Sequence, residues 1–127
     1  MEDIQNLTIA ATKYTPEILL DASKGLISLS GKSYPENTFE FYKSFLSWIE
    51  EYFHNPKSVT TINMEIIYFN SSSSKLFFDL FDLIEIYKDK TQIIINWIYD
   101  EENESALEAG EDFAEDFEEL DFRLVAK

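Results

Sequence analysis

The chain has no cysteine, and only three glycines, three prolines and one histidine among 127 residues. Each scarcity removes a class of chemistry. Without cysteine there are no disulfides, thiolate nucleophiles or cysteine-based metal sites, a pattern that fits the cytoplasm. Three glycines cannot build the glycine fingerprint of a dinucleotide or P-loop site. The lone histidine, His54, stands beside Asn55-Pro56 at the expected end of a helix, where a cation suits the helix dipole. A catalytic triad, a zincin site or a His-rich metal site needs bases or ligands that are missing. No apolar run approaches the roughly 18 residues of a membrane span. Met1-Glu-Asp-Ile4 has neither the basic nor the apolar region of a signal peptide. Basic residues are scarce as well: 10 Lys and Arg stand against 25 Asp and Glu, a formal net charge of -15. Such a chain repels phosphate backbones and anionic lipid, which argues against nucleic-acid and membrane partners. Proteins with basic patches are the partners it favours.

What the chain does contain is a core. Hydrophobic residues make up 45% and aromatics 16%, with 11 Phe, 7 Tyr and 2 Trp. A chain of this length buries roughly 68% of its unfolded surface, so a single domain spanning residues 1–127 is expected. Glu17–Leu20 and Leu26–Ser30 are short apolar runs joined through Gly25, and they predict a hairpin. Asn37 and Glu40 have the spacing of a capping box. Phe41, Phe45, Trp48 and Tyr52 then recur at helical spacing, predicting a helix over about 38–53. Ile62–Phe69 alternates in its first half and is apolar on both faces in its second, as a strand with helices on at least one side would be. A second amphipathic helix runs from Leu76 to about Lys88, and Gln92–Tyr99 has the look of a buried strand. Strand, serine turn, helix, strand makes a right-handed βαβ unit with parallel strands. Phe122–Val125 supplies a last edge strand. The fold class is α/β, a mixed sheet of four or five strands with two or three helices.

From Asp100 to Asp121 the chain carries twelve acids and no Lys or Arg. Counted as a calcium loop, its sixth position is Ser105 where an EF-hand needs glycine. A solvated acidic face or a docking surface for a basic partner remains. Nothing points to a metal, a cofactor or a catalytic residue.

The informative stretch is Asn70-Ser71-Ser72-Ser73-Ser74-Lys75. Hydroxyls at a helix start cap orphaned N–H groups, but one or two suffice. Four in a row at the C-terminal end of a strand, where α/β sheets place their sites, exceed that need. A phosphate added there carries about -1.5 to -2 charge and meets a positive helix end. Capping and phosphate acceptance both fit. Ser33-Tyr34-Pro35-Glu36-Asn37 likewise fits two roles: a loop and cap with Tyr34 on the core, or a loop beside the serines.

Several blocks are familiar: Ala11–Ile18, Leu20-Asp21, Ile27–Gly31, Ser33–Asn37, Phe41-Tyr42, Trp48-Ile49, Tyr68–Lys75 and Trp97–Asp100. Together they resemble the SiaC family of small bacterial regulatory phosphoproteins, over about residues 8–125. The resemblance implies a non-catalytic partner-switching module with a STAS-like fold, that of the anti-sigma-factor antagonists. It implies a dedicated Ser/Thr kinase, a PP2C-type phosphatase, and a diguanylate cyclase activated by the unphosphorylated form. Cyclic di-GMP, biofilm and aggregation are the implied output. The family's acceptor follows the Asn directly and is Thr in its characterised member. The matching residue here is Ser71, with the adjacent Ser72 as second choice. Asn70, Ser72, Ser73, Lys75, Tyr34, Glu36 and Asn37 are the expected partner-binding residues. The rival readings are an acidic protein-binding module or inhibitor indifferent to phosphorylation, and a small carboxylate-based hydrolase or isomerase.

Overall fold

The computed structural model describes residues 4–127; Met1, Glu2 and Asp3, which open the stretch read against a signal peptide, lie outside the described residues. The elements run β1 (Leu7–Ile9), β2 (Glu17–Asp21), β3 (Leu26–Ser33), α1 (Thr38–His54), β4 (Val59–Phe69), α2 (Ser71–Ile86), β5 (Gln92–Tyr99), α3 (Glu104–Asp116) and β6 (Asp121–Ala126). One sheet holds all six strands in chain order. β1, β2 and β3 pair antiparallel, and β3 through β6 pair parallel, each parallel step crossing over through one helix. The parallel βαβ unit is where the sequence puts it. The strand count is six rather than four or five, because β1 is a three-residue strand with too short a pattern to read.

Three crossovers progressing in one direction with one hand put all three helices on the same sheet face. Burial follows that rule. Thr60, Ile62, Met64 and Ile66 of β4 and Ile93, Ile95 and Trp97 of β5 are buried, while the residues between them are not. Both strands are therefore one-sided. Helices cover one side of β4, within the expectation of at least one, and the apolar outer face of late β4 is left open, with Ile67 and Tyr68 each 55% exposed. Ile67 follows the alternation onto the face away from the helices, and a register shift turns Tyr68 out beside it: Gly31 pairs with Ile66 but Lys32 pairs with Tyr68, leaving Ile67 as the extra residue of a bulge. Gly31 takes φ +129 opposite it, a conformation natural to glycine.

α1 begins at the Asn37 cap, whose Oδ1 accepts from the Glu40 N–H at 3.1 Å. It buries Phe45, Trp48 and Tyr52 of the predicted stripe together with the flanking Tyr42, Ile49 and Phe53, while Phe41 is only half-buried. α2 buries Leu76, Phe77, Leu80, Phe81 and Ile84 and meets α1 where the Tyr42 and Phe77 rings cross edge to face at 6.1 Å. α3 closes the layer over β5 through Phe113, which packs on Trp97 at 5.5 Å and on Phe81 at 5.1 Å.

Candidate functional site

The C-terminal ends of β3 and β4 lie side by side and feed α1 and α2, so two helices start next to each other. α2 opens at Ser71 rather than beyond the serines, so Ser71–Ser74 are its first turn and not a separate loop. Its cap is Asn70, not a serine. The Asn70 Oδ1 accepts from the Ser73 N–H at 2.9 Å and from the Ser72 hydroxyl at 3.2 Å.

Helical geometry separates the four hydroxyls. Residues two apart on a helix lie about 200° apart around its axis, so with Ser73 facing inward Ser71 must face out. On sequence grounds Ser73 belongs on the partner surface; the structure turns it inward to 0% exposure, 2.8 Å from the Ser33 Oγ. Ser72 is exposed but engaged, its hydroxyl 2.7 Å from that of Thr38 at the start of α1. Ser74 is half-buried, and its N–H donates to the Asn70 carbonyl at 2.9 Å. Ser71 is exposed, and its hydroxyl makes no hydrogen bond among the described residues.

Ser33 ties the two strand ends to both helices. Its carbonyl accepts from the Asn70 N–H at 3.1 Å, and its hydroxyl lies 2.6 Å from the buried Tyr42 OH. Burial pushes the Tyr42 phenol up to about 12, against the smaller opposing effect of the Ser33 hydroxyl. The loop Ser33–Asn37 thus does lie beside the serines. Tyr34 is half-buried between two other tyrosines, edge to face with Tyr14 at 5.2 Å and Tyr68 at 5.3 Å. It does not join the core cluster. Glu36 and Asn37 are exposed at the same end. Lys75, one turn below Ser71, is exposed and pairs with Asp79 at 3.1 Å.

Between α2 and α3 a groove of about 570 Å³ opens, with Ser71, Ser74 and Lys75 along one wall and Asp112 and Asp116 along the other. Phe69, Phe78 and Phe113 form its apolar floor. Sequence reasoning missed Thr38, which meets the site only through its contact with Ser72 across the fold. Ser33 stands in the block that also fits a place beside the serines and Tyr14 in a block that carries the resemblance, though no local pattern marks either contact. No group of three or more His, Cys, Asp or Glu among the described residues could hold a metal ion, so the acidic segment makes no such centre there. No helix among them is long and apolar enough to cross a membrane.

The family model described as "SiaC family regulatory phosphoprotein" matches residues 9–127. The chain belongs to the SiaC family. An uncharacterized protein of Pseudomonas aeruginosa (strain UCBPP-PA14) is 32% identical over 114 residues, covering 89% of this chain and 90% of that one. SiaC of Pseudomonas aeruginosa has a similar structure, with a TM-score of 0.84 at 29% identity over 98% of this chain and 100% of its own. A third likeness is to the activator SiaC in a crystal structure of the Pseudomonas aeruginosa diguanylate cyclase SiaD in complex with it. There the TM-score is 0.83 at 31% identity, covering 94% of this chain and 97% of that one. SiaC family membership fits the site described: a presented hydroxyl in the first turn of a helix. The one histidine, His54, closes α1 at the opposite end from the Asn37 cap.

Proposed function

We propose that the protein is a non-catalytic, phosphorylation-controlled switch whose unphosphorylated form binds and activates an effector, a SiaD-like diguanylate cyclase. Ser71 is the switched residue. A dedicated Ser/Thr kinase adds the phosphate and a PP2C-type phosphatase removes it, in the cytoplasm. The observation that carries the assignment is the exposure of the Ser71 hydroxyl, free of hydrogen bonds among the described residues, while Ser72 and Ser73 are both engaged. The cyclase is supported by the complex of the related SiaC with SiaD.

The switch works at the surface. A dianion at the start of α2 is tolerated by the helix end, so the fold stays as it is. What changes is the face that a partner must desolvate. Covering a neutral hydroxyl is cheap where a hydrogen bond replaces water, whereas covering an unpaired phosphate costs on the order of several kcal/mol. Asn70, Ser72, Lys75, Tyr34, Glu36 and Asn37 surround Ser71 and form the contact surface in this reading.

The test pairs Ser71→Ala with Ser71→Asp in calorimetry against a SiaD-like cyclase from the same genome. Ser71→Ala binds like the unphosphorylated protein, and Ser71→Asp binds at least about tenfold more weakly, a difference of about 1.4 kcal/mol. Equal affinities would remove Ser71 from the mechanism. Binding that weakened with salt while ignoring both substitutions would instead favour an acidic docking module.

A further inference from the structure

The four serines are chemically alike, and the kinase meets them as one polar run. What distinguishes them is the rotational phase of the first turn of α2. If the turn slipped by one residue, Ser74 would face inward and Ser72 would take the outward place, since residues two apart lie on opposite sides. The side chains of Ser71–Ser74 do not oppose that slip, because the inward and outward places would each receive another serine. What opposes it are the contacts that hold the turn, beginning with the Asn70 Oδ1 on the Ser73 N–H at 2.9 Å.

We propose that Ser33 is the positioning residue that selects Ser71 as the acceptor, a role that rests on the reading of Ser71 as the switched hydroxyl. Ser33 holds the turn at both ends. Its backbone carbonyl fixes the Asn70 N–H at 3.1 Å, just before the serines. Its hydroxyl meets the Ser73 hydroxyl at 2.8 Å, three residues on. The Tyr42 OH, 2.6 Å from the Ser33 Oγ, anchors that hydroxyl to α1. Ser33, Tyr42 and Ser73 are all at 0% exposure, so no water replaces any member of the chain. Burial makes the arrangement exclusive: with the Asn70 N–H held on the Ser33 carbonyl, the hydroxyl that reaches the Ser33 Oγ is the one three residues on, and a slip that brought Ser74 there would give up one of the two contacts. Ser33 touches no partner and accepts no phosphate. It acts through the turn it holds.

The experiment is peptide-level mass spectrometry of the protein purified from its native host, comparing the natural chain with Ser33→Ala, Ser33→Thr and Ser73→Ala. The natural chain carries phosphate on Ser71 alone. In Ser33→Ala the share on Ser72 rises at least about tenfold, and Ser33→Thr, which keeps the hydroxyl, returns it to Ser71. A lesion that merely loosened the fold would change total phosphate without moving it along the chain. Should Ser33→Ala fail to fold by circular dichroism, Ser73→Ala removes the other half of the contact and gives the same redistribution. A folded Ser33→Ala or Ser73→Ala chain phosphorylated on Ser71 alone would overturn the role of Ser33 while leaving the switch intact. A natural chain without phosphate at Ser71 would overturn the switch and the selection together.

Discussion

Tyr42 is a titratable group with no water around it, and its chemistry follows from that. The side chain is at 0% exposure, and burial raises its phenol from 10.0 to about 12. The folded state therefore holds the proton more tightly than the unfolded chain does. The resulting stabilisation is fully present below pH ~10 and is lost as pH climbs from there through the folded value. The slope approaches about 1.4 kcal/mol per pH unit, for a total of roughly 2–3 kcal/mol. Urea midpoints for the natural chain should drop across that window, whereas Tyr42→Phe should stay flatter. The substitution costs about 1 kcal/mol near neutrality, because Ser33 keeps its contact with Ser73. Parallel profiles for the two chains would mean that another group drives alkaline unfolding. At the same scale Asn70→Ala should cost about 1 kcal/mol, the usual value of a lost N-cap, read as a shift in the same midpoints.

The elements show where local pattern suffices and where it does not. α1 is legible because its aromatic stripe has the helical period and Asn37 and Asn55 bracket it. The start of α2 is not, because Ser71–Ser74 carries no apolar period until Leu76, and its one inward residue is a serine. Late β4 misleads for a related reason. Ile66-Ile67-Tyr68-Phe69 is the apolar run of a strand buried on both faces, but Ile67 lies on the face no helix covers and the bulge turns Tyr68 out beside it. The candidate site divides the same way: Asn70–Lys75 stands out as a polar run at a strand end. The Ser33–Asn37 block could be read as lying beside the serines, but the contact of Ser33 with Ser73, 40 residues on, has no local pattern to show it. α3 supplies a test of packing over propensity. Gly110 sits in the helix, and a Cβ there would run into the Trp97 ring and the Leu124 side chain. Alanine normally favours a helix interior by about 1 kcal/mol over glycine. Overpacking a well-filled site costs about 1–3 kcal/mol. Gly110→Ala should therefore be net destabilising by about 1 kcal/mol in urea titration, with the exposed Ser105→Ala within about 0.5 kcal/mol of the natural chain. A more stable Gly110→Ala would mean that α3 can lift from β5 and β6 at little energetic cost.

For the whole molecule, topology and charge act together. Chain-order strands with one-handed crossovers leave the sheet face away from the helices open, and they put acidic α3 and edge strand β6 at the far end from the hairpin. The formal charge of -15 is spread over a small surface, so compaction works against self-repulsion. Ion pairs oppose that effect only weakly. Lys75–Asp79, Lys88–Glu119, Arg123–Asp121 and Lys127–Glu65 are all solvent-accessible, where water and salt screen the attraction and side-chain entropy opposes it. Salt screens both, but the repulsion sums over many unpaired carboxylates and the pairs over few. The Tm should therefore rise with KCl between about 0.02 and 0.5 M, over a range in which the Debye length falls below 10 Å. A gain of about 1 kcal/mol corresponds to roughly 3–5 °C for a domain of this size. A Tm that fell with salt would locate the dominant electrostatics in the ion pairs. The net charge of -15 would still face a basic partner, but self-repulsion would not be what limits the stability of the fold.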